Sequence, residues 1–170
     1  MLEAVNYLHQ NNVVHRGKTN SFQQGITATN ICLFVDLKPE NLLYLTRAQD
    51  SSLVLADFGI AKMLDSPREI LTTMAGSFGY AAPEVMEKKG HSKPVDLWSL
   101  GVITYTLLCG YSPFRSETMS DLIEECRNEK VIFHPRYWSD VSDDAKDFIK
   151  CLLKADPRRR PTSEVRSRFI

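Results

Sequence analysis

An excess of charge of either sign is missing: Lys plus Arg equals 21 and Asp plus Glu equals 21 in 170 residues. That balance leaves no electrostatic footprint for nucleic acid or an anionic membrane. The only basic cluster, Arg158, Arg159 and Arg160 with Arg166 and Arg168, reads as a solvated helix start. Cysteine is sparse, with Cys32, Cys109, Cys126 and Cys151. No pair has metal-ligand spacing or stands beside a suitable His pair, so no zinc site is expected. Free thiols in a reducing compartment are the expected state, which implies a cytoplasmic location. The longest apolar run, LWSLGVITYTLLCGY at 97–111, carries no charge. It falls short of the roughly 18 to 20 residues that span a bilayer, and so reads as a buried core helix. The opening MLEAVNYLHQNN has no basic start or cleavage site of a signal peptide. Internal repeats and low-complexity tracts are also absent. What remains is a soluble globular composition, 43% hydrophobic and 25% charged, of a size for one domain.

Helical spacing of apolar residues in MLEAVNYLHQ predicts a helix that begins without a cap. NLLYL and SLVLADF, on either side of the polar TRAQDSS, predict two paired strands. Residues 60–84, with Pro67, Gly76, Gly79 and Pro83, read as a long loop. From Pro94 the pattern turns helical. KPVDLWSLGVITYTLLCG forms one helix, ended by Gly110 and Pro113. SETMSDLIEECRNEK forms a second, with Ser116 as the expected cap. SDDAKDFIKCLLKADP forms a third, capped by Ser142 or Asp143 and stopped before Pro157. PTSEVRSRF begins a fourth.

Five short motifs follow in order: HR at 15–16 with DLKPEN at 36–41, DFG at 57–59 after an apolar strand, APE at 82–84, DLWSLG at 96–101, and DPRRRPT at 156–162. Taken singly each has a plain reading. Asp36 is then a turn residue before Pro39, Asn41 a capping group, Asp57 a strand-end carboxylate. As an ordered set they resemble the C-terminal lobe of a eukaryotic serine/threonine protein kinase. The resemblance covers nearly the whole chain except residues 17–35. It implies a mainly α fold, a kinase-type C-terminal lobe over 1–170 with a short β-hairpin region and no N-terminal lobe. The G-x-G-x-x-G loop, the V-A-I-K-type lysine and its helix Glu partner are not in this sequence.

The resemblance also implies roles. Phosphoryl transfer needs in-line positioning and charge neutralisation more than covalent help. Asp36 would accept the proton of the substrate hydroxyl and Lys38 would neutralise the transferring group. Asn41 and Asp57 would hold Mg²⁺ against the phosphates of ATP, as hard oxygen donors suit that ion. Leu43 would floor the adenine. Asp96 would bond the catalytic-loop backbone, and Glu84 would form a buried pair with Arg160. Thr73, with Thr72 as rival, matches the position an upstream kinase phosphorylates. Arg16, which follows His15, would receive that phosphate. Ser77 matches a hydroxyl that contacts the catalytic Asp. LLCGYSPF and YWSDVSDDAKDFI resemble the calcium/calmodulin-dependent group, and LTTMAGSFGYAAPE its fungal members. Protein substrates with Ser or Thr are implied, Glu40 being a contact for an upstream basic residue. An activating kinase and calcium/calmodulin are implied as partners of the full-length parent.

Nineteen residues, Gly17 to Val35, split the HR from the DLKPEN. Lengthening a loop this much costs only about 2 to 3 kcal/mol of closure entropy. Catalysis is less tolerant, since a displacement of about 1 Å costs on the order of a hundredfold. GK can be encoded GGT-AAG, TN at 29–30 ACT-AAC, and FVD TTT-GTA-GAC, which together supply the signals of a short intron. Its removal restores HRDLKPEN in frame. A translated intron is one reading and a true loop insertion the other. With the stretch in place, a catalytically inactive, pseudokinase-like binding module is the alternative to an active kinase.

Overall fold

The computed structural model describes residue 6 and residues 31–33, 37–55, 62–64, 70–72 and 77–163. The helix expected over the first ten residues and the one begun by PTSEVRSRF lie outside that range, apart from Asn6, which is helical and buried. The described chain is rich in helix, with two small antiparallel sheets.

Strand β2 (Leu42–Tyr44) pairs with β3 (Leu53–Leu55), Leu43 opposite Val54. The polar segment between them closes the hairpin through Leu45 N–H to Ser52 O at 2.9 Å and Thr46 N–H to Ser51 Oγ at 2.8 Å. The second sheet joins β1 (Ile31–Leu33) to β4 (Lys62–Leu64), with Cys32 opposite Met63. It corrects the expectation of one hairpin and of an unbroken loop over 60–84. That segment contains β4 and the start of helix α1 (Pro83–Met86). KML is too short to show a period, and its partner lies inside the stretch read as an insert.

Helix α2 (Pro94–Cys109) is the axis of the core. Pro94 supplies a fixed φ at the first helical position, where its missing N–H costs nothing. The helix ends at Gly110, whose φ of 84° is left-handed and whose N–H reaches Thr106 O at 2.7 Å. Apolar on most of its surface, with Asp96 and Ser99 as the buried polar exceptions, α2 is buried from Val95 to Ile103. Trp98 stacks on Phe114 with centroids 5.3 Å apart, and Tyr105 packs on Trp138 at 4.7 Å. Gly101 lets α5 (Asp143–Leu152) approach: a Cβ there would lie 2.9 Å from Leu152 Cβ and 2.9 Å from Leu153 Cδ2.

Helix α3 (Met119–Arg127) buries Leu122 and Cys126, one turn apart. Its cap is Thr118, whose hydroxyl accepts from Asp121 N–H at 3.2 Å, and not Ser116. Ser116 donates instead to Glu125 Oε2 at 2.9 Å. A four-residue helix, α4 (Pro135–Trp138), precedes α5, which Ser142 caps by accepting from Ala145 N–H at 3.3 Å. The expected solvated helix start at Arg158–Arg160 is a 3₁₀ turn over Pro157–Arg159, and Arg160 is buried. Among the described residues no helix is long and apolar enough to cross a membrane.

Candidate active site

Five of the thirteen residues singled out by sequence lie outside the described range: His15, Arg16, Asp36, Asp57 and Thr73. The other eight fall into three places. Lys38, Glu40, Asn41 and Leu43 lie on one loop-and-strand segment, Ser77 on a facing turn, and Glu84, Asp96 and Arg160 beneath them in the core.

The loop begins at Leu37, 3% exposed, which anchors it to the core. Lys38 is extended, and Pro39 then starts a single 3₁₀ turn over Pro39–Asn41. Pro is suited to that position because its φ is already set. Asn41 N–H donates to Lys38 O at 3.0 Å, which closes the turn and leaves the Asn41 side chain 7% exposed. A buried amide costs free energy unless its polar atoms are engaged, so Asn41 is a built feature of the loop. Glu40 is exposed, and Leu43 on β2 is 51% exposed beside exposed Tyr44 and Leu45.

Lys38 Nζ donates to Ser77 Oγ at 3.4 Å, joining positions 39 residues apart. Ser77 leads into the 3₁₀ turn Phe78–Tyr80, whose Tyr80 O accepts from Ser99 Oγ at 2.9 Å. The loop, the turn and α2 are thereby tied in series. Tyr80 joins the group although no sequence motif marked it. Burial pushes its phenol above the ordinary value, the Glu40 carboxylate adds to that, and Lys38 opposes it.

Beneath the turn, Arg160 Nη1 and Nη2 grip Glu84 Oε1 and Oε2 at 2.6 and 2.8 Å. The remaining guanidinium hydrogens go to backbone oxygens: Nε to Lys154 at 2.7 Å, Nη1 to Pro94 at 3.1 Å, Nη2 to Ala155 at 3.2 Å. All five donors of the group are then used. Its Cζ also sits 5.0 Å over the Trp98 ring. Asp96, in the first turn of α2, is fully buried. As to metal, Asn41 offers the hard amide oxygen that Mg²⁺ accepts. Among the described residues no three His, Cys, Asp or Glu side chains cluster to hold an ion by themselves.

The described site thus sets a lysine and a buried asparagine on one loop, with a glutamate–arginine clamp in the core. Residues 27–167 match the family described as "Protein kinase domain", and the match takes in part of the stretch read as an insert. The chain is 69% identical over 96% of its length to "Calcium/calmodulin-dependent protein kinase cmkA" of Emericella nidulans. It is 63% identical, again over 96%, to "Calcium/calmodulin-dependent protein kinase" of Metarhizium anisopliae. To "Calcium/calmodulin-dependent protein kinase type 1" of Caenorhabditis briggsae it is 42% identical over 96%. It spans 35%, 38% and 40% of those relatives' own lengths. The chain belongs to the protein kinase family.

Proposed function

We propose that the chain supplies the catalytic-loop part of a serine/threonine protein kinase that transfers the γ-phosphate of ATP to protein Ser or Thr. The observation that carries this is the Lys38–Ser77 hydrogen bond, made beside a buried Asn41. It sets a cation between the loop and the turn, where a transferring phosphoryl group needs charge neutralised without reorganisation. In this reading Asp36 takes the hydroxyl proton and Lys38 meets the developing charge. Asn41 with Asp57 would hold Mg²⁺, which supplies the remaining neutralisation of the ATP phosphates. Leu43 offers an apolar floor to adenine, and Glu40 meets a basic residue of the substrate. Thr73 is the acceptor of an activating phosphate, and Glu84, Asp96 and Arg160 support the frame. Calcium/calmodulin acts on the full-length protein, as the relatives' names suggest.

The test is a phosphotransfer assay of the full-length protein on a Ser peptide with an upstream Arg, in ATP and Mg²⁺. Lys38→Ala is expected to lower kcat/KM by roughly 10²- to 10³-fold with the circular dichroism spectrum unchanged. Wild-type turnover in that variant would sink the assignment.

A second reading, an inactive binding module, is favoured by one observation. Ile31–Leu33, from the stretch that splits the motif, form β1 against β4. With the stretch in place, Val35 and not Arg16 directly precedes Asp36. Sequencing the messenger RNA from the Arg16 codon to the Asp36 codon separates the two. Absence of the stretch from mature transcripts supports the kinase, and its presence in polysome-bound transcripts supports the module.

A further inference from the structure

We propose that the cleft between the C-terminal end of α2 and α4 is a phosphate-monoester site that takes a phosphorylated peptide segment. The cleft has a volume of about 570 Å³, and Cys109, Tyr111, Arg115, His134, Arg136 and Tyr137 are among its lining residues. Two guanidiniums and an imidazole thus face one space, and no carboxylate lines it. In a chain whose charges otherwise balance, that is a local surplus of cations.

The cations are also held in place. Arg115 Cζ lies 5.0 Å over the Tyr111 ring and Arg136 Cζ 5.4 Å over the Tyr137 ring. The two rings meet edge to face with centroids 5.4 Å apart, so both guanidiniums ride on one aromatic pair. Neither has an ion-pair partner among the described residues. A guanidinium whose face rests on a ring still has its edge free, and that fork matches the oxygens of a phosphate. The volume exceeds what a bare phosphate fills and suits a phosphorylated side chain with its neighbours, for which the tyrosine rings are walls. From Ser99 to Cys109 the helix rises about 15 Å, so the cleft stands apart from the turn that meets Lys38.

The test is an NMR titration of the full chain, reading the backbone N–H signals of the cleft residues, which every variant retains. Three probes are used in separate arms: the peptide Gly-Gly-phosphoserine-Gly-Gly, the same peptide with Glu for phosphoserine, and inorganic phosphate. The phosphopeptide is expected to shift Arg115 and Arg136 saturably and to bind at least about tenfold more tightly than the Glu peptide. Arg115→Gln with Arg136→Gln should abolish the shift at an unchanged melting temperature. Arg115→Lys with Arg136→Lys, which keeps the charge and loses the fork, should weaken binding about tenfold. No saturable shift, equal binding by the double Gln variant, or equal affinity for the Glu peptide would each overturn the site. Inorganic phosphate binding as tightly as the phosphopeptide would overturn the peptide as its occupant.

Discussion

Arg160 has no contact with solvent in its side chain, and Glu84 is 8% exposed. Two charges taken this far out of water are favourable only because every donor of the guanidinium is matched. Glu84→Gln keeps the shape and removes the charge, leaving Arg160 buried and uncompensated. We expect a loss of about 3 to 5 kcal/mol of unfolding free energy in a urea titration. Replacing both partners, Glu84→Leu with Arg160→Met, should recover most of it, because no lone charge then remains. A single variant as stable as the wild type would mean that water reaches the pair. The partners lie 76 positions apart. Nothing local in APE or DPRRRPT marks them as neighbours, and the pairing entered the sequence reading through family resemblance alone. Tyr80 was missed altogether, since the influence of Lys38 and Glu40 on it depends on the turn that Ser77 begins.

At the level of elements, the contact of α2 with α5 runs over Gly101. A methyl group there would meet Leu152 and Leu153 below the distance real Cβ atoms keep. Gly101→Ala gains about 1 kcal/mol of helix propensity. It also overpacks the contact with the Leu152 and Leu153 side chains, at about 1 to 3 kcal/mol. We expect net destabilisation by thermal denaturation, partly relieved when Leu153→Ala is added, since neighbouring substitutions are not additive. Stabilisation by the single variant would show that the helices separate freely. The long elements were legible because their signals are local. Pro94 and Gly110 bracket α2, and Ser142 stands one residue before α5. The short ones were not. PRYW is too brief for a 3.6-residue period to appear, and Lys62–Leu64 becomes a strand only because Ile31–Leu33 lies beside it. Ser116 and Thr118 are equally good caps by residue type. The competing bond from Ser116 to Glu125 decides between them.

On the scale of the whole molecule, two carboxylates fasten α3 to the segments packed beside it. Burial pushes Glu129 up, but the hydrogen bond from Lys154, that from Ala155 N–H and the nearby cations outweigh it, and its pKa lies below the usual 4.5. Lys154 Nζ donates to it at 2.6 Å and Ala155 N–H at 3.0 Å, linking the end of α3 to the segment after α5. Glu125 is lowered in the same way: burial raises it, and the bonds from Ser116 and Arg115 prevail. A carboxyl with a lowered folded pKa contributes stability above its unfolded value and loses it as pH falls through the folded one. Glu129→Gln should therefore be less stable than the wild type at neutral pH, by a margin that narrows as pH drops below 4.5. Urea midpoints at pH 7 and pH 3 check this, and a constant margin would place the effect in packing instead of charge.

By itself the sequence determined the charge balance, the uncharged core helix, the β2–β3 hairpin and the order of the motifs. Each of these rests on side-chain period, caps or residue type within a few positions. Tertiary structure alone decided that Lys38 meets Ser77, that β1 fills a sheet edge opposite β4, and that Arg115 and Arg136 share one cleft. Those contacts depend on how the chain closes on itself, and a pattern read along the chain carries no distance between remote positions.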